Sequence, residues 1–185
     1  MLDYLIIGYG LSGFHLSWKL KQKKKDFVVI YDTSKGASRN AAGICNPTIL
    51  KRYTMSWNGI NFLKFATKRY NLIQTQLNAI FFDHLPIHRQ SHKATEQNDW
   101  IVASQQEGMS AFLNPEIQNY SDNSIINKEG YGVVEQLGKL NINVLLNNFQ
   151  SQYTDQFHLE VFDYGDLKIS KDNICLLYTS DAADE

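Results

Sequence analysis

The apolar positions begin with two short unbroken runs, Tyr4–Ile7 and Phe27–Tyr31. Runs of that length and kind are expected of strands buried on both faces of a parallel sheet. Between them Leu11, Phe14 and Trp18 recur at i, i+3 and i+7, one face of a helix that should run from Leu11 to about Lys24. Strand, helix and strand make one βαβ unit, and the second strand closes at Asp32.

Past this unit the pattern changes. Residues 36–43 are small or polar with neither helical nor strand period and are expected to be loop. Trp57, Ile60, Leu63, Tyr70, Ile73 and Leu77 recur at near-helical spacing and predict a long packing helix starting near Ser56. Residues 80–82 and 85–89 read as extended, 94–104 as a helix around Trp100, and 114–127 as polar loop. Tyr131 to Leu137 alternates weakly like a strand, Val144 to Tyr153 predicts a short helix, and Phe157 to Phe162 alternates strongly. Without repeated βαβ units, that order suggests an α+β second domain in place of a longer parallel sheet. The expected division is a first domain over 1–78, opening on the βαβ unit, and part of a second domain over 79–174.

Residues 175–185, ending in Asp-Ala-Ala-Asp-Glu185, break with the Lys-, Asn- and Ile-rich composition before them. They resemble a sequencing adapter translated in frame. They are expected to lie outside the natural protein, Cys175 with them, and the authentic chain to continue beyond residue 174.

Composition narrows the chemistry. At 185 residues the chain can bury one good core and part of a second, and it is short for a complete two-domain enzyme. Lys and Arg number 18 against 19 Asp and Glu, so no global field recruits nucleic acid or an anionic membrane. The Lys23–Lys25 run suits the carboxyl end of a helix, where cations meet the dipole. Cys45 and Cys175 are too few for a zinc site and suggest no disulfide framework. The chain opens directly into a strand, with no basic leader or long apolar run, so a soluble cytoplasmic protein without an integral membrane segment is expected.

The turn between the first strand and its helix reads Gly8-Tyr-Gly10-Leu-Ser-Gly13. Gly8 permits the tight turn, Gly10 allows the backbone to approach a pyrophosphate, and Gly13 lets the helix lie close on the strand. The first amides of the helix, from Leu11, Ser12 and Gly13, then point a positive dipole end at phosphate. Asp32 follows about 20 residues after the last glycine, where a carboxylate accepts the ribose hydroxyls of adenosine and repels the extra phosphate of NADP. These features point to a dinucleotide without separating FAD from NAD.

The next stretch, Lys35-Gly-Ala-Ser-Arg-Asn-Ala-Ala-Gly-Ile-Cys-Asn-Pro47, resembles the second signature of the D-amino-acid oxidase superfamily of flavoproteins, most closely its glycine oxidase-like members. Fainter likeness to the opening of that family's substrate domain runs through 82–89, 96–100 and 130–146, so the resemblance covers nearly all of residues 1–174. It implies a Rossmann-like α/β domain holding an extended FAD, with Thr33, Ser38, Arg39, Asn40, Ala42 and Gly43 around its pyrophosphate and ribitol. It also implies oxidation of a C–N bond in a small amine or amino acid, by hydride transfer to the flavin and release of an imine. The family's later strand returning to the FAD domain, and its glycine-rich segment beside the flavin ring, have no visible counterpart, so a truncated chain is expected to turn over nothing.

Three further candidates carry less. His84, His88 and His92 fall at helical spacing, but Pro86 interrupts any continuous face and no carboxylate cluster accompanies them. Cys45 is expected to be a buried thiol. Arg52 follows the loop in a region where related enzymes place a basic residue near flavin and substrate carboxylate, and is the one candidate for a substrate contact; its default is solvent exposure. An NAD-dependent oxidoreductase would show a second βαβ crossover after Asp32, which the small-residue loop and long helix do not provide. A nucleotide-binding fragment without catalysis is the other alternative.

Overall fold

The computed structural model describes residues 2–33, 36–121 and 128–164, and the backbone of 176–178. In chain order the elements open with strand β1 (Tyr4–Ile7), helix α1 (Leu11–Gln22), strand β2 (Phe27–Tyr31) and the one-turn helix α2 (Ala37–Asn40). Short strands β3 (Ile44–Cys45), β4 (Thr48–Ile49) and β5 (Thr54–Met55) precede the long helix α3 (Gly59–Leu77). Strands β6 (Phe82–His84) and β7 (Ile87–Gln90), helix α4 (Ala94–Ser104), and strands β8 (Tyr131–Val134) and β9 (Gly138–Leu140) follow. Helix α5 (Ile142–Gln152), strand β10 (Phe157–Leu159) and strand β11 (Leu176–Tyr178) close the chain. Residues 1–43 and 141–185 form one compact unit, and residues 44–140 form another.

The first unit is a Rossmann-like α/β layer whose strands are all parallel, in the order β10-β2-β1-β11. Helix α1 stops at Gln22 because Lys24 turns left-handed at φ 54°. The amides of Lys24 and Lys25 then reach back to the carbonyls of Lys21 and Leu20, each at 3.0 Å, closing the last turn. The expectation of strands buried on both faces is met on one face. Ile6 and Val29 pair in register and are fully buried, whereas the opposite set, Leu5, Ile7, Val28 and Ile30, is half-buried. Successive side chains alternate across a strand, and the sealed set is the one on which α1 lies, with Gly13 against Ile6.

The expectations about the carboxyl-terminal third are corrected. The segment after Tyr153 is a strand only over Phe157–Leu159, and it pairs parallel with β2, Phe157 opposite Val29, instead of entering an α+β second domain. Helix α5 therefore belongs with the first unit and serves as the crossover between β2 and β10, with residues 44–140 inserted between them. A second βαβ crossover does follow Asp32, and a later strand does return to the sheet. The long insertion hides both from a reading of neighbouring residues. Residues 176–178, set apart by composition, pair parallel with β1, Leu5 opposite Leu176; the rest of 175–185 lies outside the described residues.

α5 forms because Ile142, Leu145, Leu146 and Phe149 repeat at i, i+3, i+4 and i+7, while the Asn141 side chain accepts the Val144 amide at 3.2 Å and caps the first turn. Phe149 is wholly buried and meets Phe14 and Trp18 of α1 at ring-centroid distances of 5.3 and 5.7 Å.

In the second unit, β3, β9 and β6 make an antiparallel sheet in that order, β7 pairs with β8, and β4 with β5. Its core gathers Trp100, Ala103, Met109, Phe112, Leu113, Val134 and Leu137. Gly132 is required there, since a Cβ would lie 2.1 Å from the Trp100 ring. Helix α3 begins at Gly59, later than Ser56, because both the amide and the hydroxyl of Ser56 are held by the Pro47 carbonyl, at 2.8 and 2.9 Å. Of the polar stretch 114–127, Gln118 exchanges backbone hydrogen bonds with Tyr131 at 2.9 and 2.8 Å; residues 122–127 lie outside the described residues. No described helix is long and apolar enough to cross a membrane.

Candidate functional site

The glycine turn lies where β1 ends. Gly8 takes φ 97°, a conformation that side-chain-bearing residues rarely adopt, and its amide donates to the Ile30 carbonyl at 2.7 Å. That bond sets the turn beside the carboxyl end of β2, the edge at which half-buried Asp32 follows Tyr31. Gly13 admits no side chain, because a Cβ would stand 2.2 Å from the Gly8 carbonyl oxygen. At Gly10 a Cβ would meet the Ser38 hydroxyl at 2.8 Å. Gly10 is the N-cap of α1 and has no side chain of its own to offer the helix amides. The Leu11 amide donates to the Ser38 hydroxyl at 3.2 Å, and the amides of Ser12 and Gly13 have no partner among the described residues. Ser17, fully buried one turn later, donates to the Gly13 carbonyl at 2.8 Å.

The stretch expected to be loop contains the single turn α2, entered from Gly36 and left at Ala41. A run of four residues is too short to show a period, which is why the pattern read as irregular. α2 brings Ser38 to the first amide of α1. Arg39 turns to α5 instead, its Nη1 donating to Asn143 Oδ1 at 3.3 Å and Asn147 Oδ1 at 3.0 Å. Asn40 spends its side-chain amide on the Gly36 carbonyl at 3.0 Å and holds the turn itself. Thr33 and Ala42 are exposed, and Gly43 takes φ 71°.

Arg52 belongs to the other compact unit, exposed in the turn between β4 and β5, where its amide donates to Ile49 at 3.0 Å. Cys45 is half-buried in the wall of a cavity of about 290 Å³ in that unit, and burial pushes its thiol pKa up. His84 meets the Leu137 carbonyl through Nδ1 at 3.1 Å, His88 stacks on Tyr131 at 4.3 Å, and the His92 amide donates to Glu96 at 3.1 Å. Among the described residues no three His, Cys, Asp or Glu side chains are grouped as metal ligands.

Tyr9 at the tip of the turn was missed by sequence reasoning. It is buried, its hydroxyl donates to the Leu146 carbonyl at 2.9 Å, and its ring sits edge-on to Phe157 at 4.6 Å. Burial is the largest influence on its phenol and drives the pKa well above the usual value. Asn143 and Asn147 were missed too. An Asn pair one helical turn apart on an otherwise apolar-faced helix is the only trace they leave in the sequence.

No protein-family sequence model matches the chain. Among solved structures, the fold is similar to that of iminodiacetate oxidase from Chelativorans sp. BNC1, with 10% identity and a TM-score of 0.57, over 85% of this chain and 46% of that one. It is also similar to glycine oxidase from Bacillus cereus ATCC 14579, with 17% identity and a TM-score of 0.55, over 92% of this chain and 50% of that one. At such identity the likeness is one of fold, and the chain spans about half the length of the structures it matches.

Proposed function

Proceeding from a fold shared with two oxidases, we propose that this chain carries the FAD-binding part of an oxidoreductase of the D-amino-acid oxidase superfamily, acting on a C–N bond of a small amine or amino acid. The supporting observation is the amino end of α1. Two amides without partners among the described residues lie at a turn in which neither Gly10 nor Gly13 leaves room for a side chain. Such an end binds phosphate through its N–H groups and its dipole.

The residues present fit the adenosine diphosphate half of FAD. Ser12 and Gly13 offer amides to phosphate, Ser38 a hydroxyl and Arg39 a positive charge, while Asp32 at the adjoining strand end suits the ribose hydroxyls and disfavours a 2′-phosphate. When bound, FAD supplies the electron acceptor for the C–N bond. The protein's own part is to hold the nucleotide and keep its phosphates neutralised. Residues 44–140 are read as the opening of the substrate-binding part, with Arg52 as a candidate for the substrate carboxylate, since guanidinium binds carboxylate in two-point fashion.

The full open reading frame, expressed and purified, is expected to carry visible flavin absorbance or to gain it with added FAD. An anaerobic screen of amino acids and N-methyl amino acids should then bleach that absorbance. A colourless protein that takes up no FAD overturns the proposal. One observation favours a second reading, an NAD-dependent Rossmann oxidoreductase: α5 and β10 complete the second crossover that such a domain has. That reading predicts a colourless protein that binds NADH.

A further inference from the structure

Arg39 is held by neutral groups. Its Nη1 donates to the side-chain oxygens of Asn147 and Asn143 at 3.0 and 3.3 Å, and Asn143 Nδ2 donates back to the Arg39 carbonyl at 3.3 Å. The two asparagines stand one turn apart on the same face of α5. The guanidinium lies 6.0 Å from the centre of the Tyr9 ring, which belongs to the glycine turn. Among the described residues Arg39 has no carboxylate partner: the ion pairs there are Lys25 with Asp3 and Arg89 with Glu96. The residue before it, Ser38, accepts the first amide of α1, so Arg39 is tethered on one side to the amino end of α1 and on the other to α5.

A carboxylate in place of either asparagine would orient the guanidinium equally well and cancel its charge. An amide oxygen orients it and leaves the charge available to an incoming anion. A cation kept in one place but not neutralised, on the residue next to the one that meets the amino end of α1, and with two amides there unpartnered among the described residues, has the charge pattern of a phosphate clamp.

We infer that Asn143 and Asn147 are positioning residues which hold Arg39, its charge intact, against the pyrophosphate of a bound adenine dinucleotide. The inference rests on the nucleotide-binding reading of the glycine turn and assigns α5 a part in it. A purely structural bracket tying α2 to α5 would use the same contacts, and the two are separated by charge. Asn147→Asp keeps the bracket as an ion pair and removes the free charge. Asn143→Ala weakens the bracket and keeps the charge. Arg39→Met removes both.

The test is calorimetric titration of the full chain with ADP and with FAD, at low and at high salt, alongside thermal melts. The wild type is expected to bind ADP with an affinity that falls as salt rises. Asn147→Asp should melt no earlier than the wild type and yet bind ADP about tenfold more weakly or worse, with a flatter salt dependence. Arg39→Met should match that loss, and Asn143→Ala should fall between. Wild-type ADP affinity in Asn147→Asp or in Arg39→Met overturns the inference and leaves the nucleotide reading standing. A wild type that binds neither ADP nor FAD overturns both. Should Asn147→Asp melt early, Arg39→Met decides the question of charge and Asn143→Ala that of orientation.

Discussion

At Gly13 the distance between turn and helix is set by the absence of a side chain. A Cβ there would stand 2.2 Å from a backbone oxygen, and backbone cannot rotate aside as a side-chain tip can. Gly13→Ala is expected to lower stability by about 2 kcal/mol and to abolish ADP binding, measured by urea denaturation and titration. Tyrosines carry a second consequence at this scale. Tyr70, buried on α3 against Phe82, has its phenol pushed from the usual 10 up to about 12 by burial. Between those two values the unfolded chain releases the proton and the folded chain keeps it, so unfolding is favoured. The Tyr70 contribution should be complete below about pH 10 and fall by about 1.4 kcal/mol per pH unit from there to about pH 12. Tyr9 acts in the same direction. Urea midpoints at pH 8 and pH 11 should separate less in Tyr70→Phe than in the wild type. The glycine spacing was legible because it is local. Tyr9 was not, because the partner of its hydroxyl lies 137 positions away in the chain.

Among the elements, α5 shows how a correctly predicted helix can be assigned to the wrong neighbourhood. Its apolar repeat is plain in the sequence, but a repeat says that a face is buried and not against what. The structure sets that face on α1, with the wholly buried Phe149 ring also 6.1 Å from Phe157 of β10. Phe149→Ala should lower stability by about 3–5 kcal/mol, and because α5 also holds Tyr9 and Arg39 it should weaken ADP binding through the placement of the helix. A Phe149→Leu control should recover most of both, measured by thermal melts and titration; recovery of stability without recovery of binding would separate the packing of α5 from its role at the turn. Strand β10 was misassigned for a related reason. Alternation reports a strand with two unlike faces, and neither sheet nor direction can be read from it.

For the molecule as a whole, the contiguous stretch 44–140 is a compact unit with its own core around Trp100. Expressed alone it is expected to fold, with protected backbone amides over β7 and β8 in hydrogen exchange. Residues 1–43 alone should stay unfolded, since the cover over Phe14 and Trp18 comes from α5, beyond residue 140. Circular dichroism of the two pieces checks this, and a folded 1–43 peptide would contradict it. The opening strand, glycine turn, helix and second strand with Asp32 were determined by the sequence itself, because each is governed by apolar period and backbone freedom over a few neighbouring residues. Only the tertiary structure decided that α5 and β10 complete the first unit, that Ser38 meets Leu11, and that Asn143 and Asn147 hold Arg39 without neutralising it. The Ser38–Leu11 and Arg39–Asn147 bonds join residues 27 and 108 positions apart, and nothing in local pattern tells a chain which of its distant surfaces will meet.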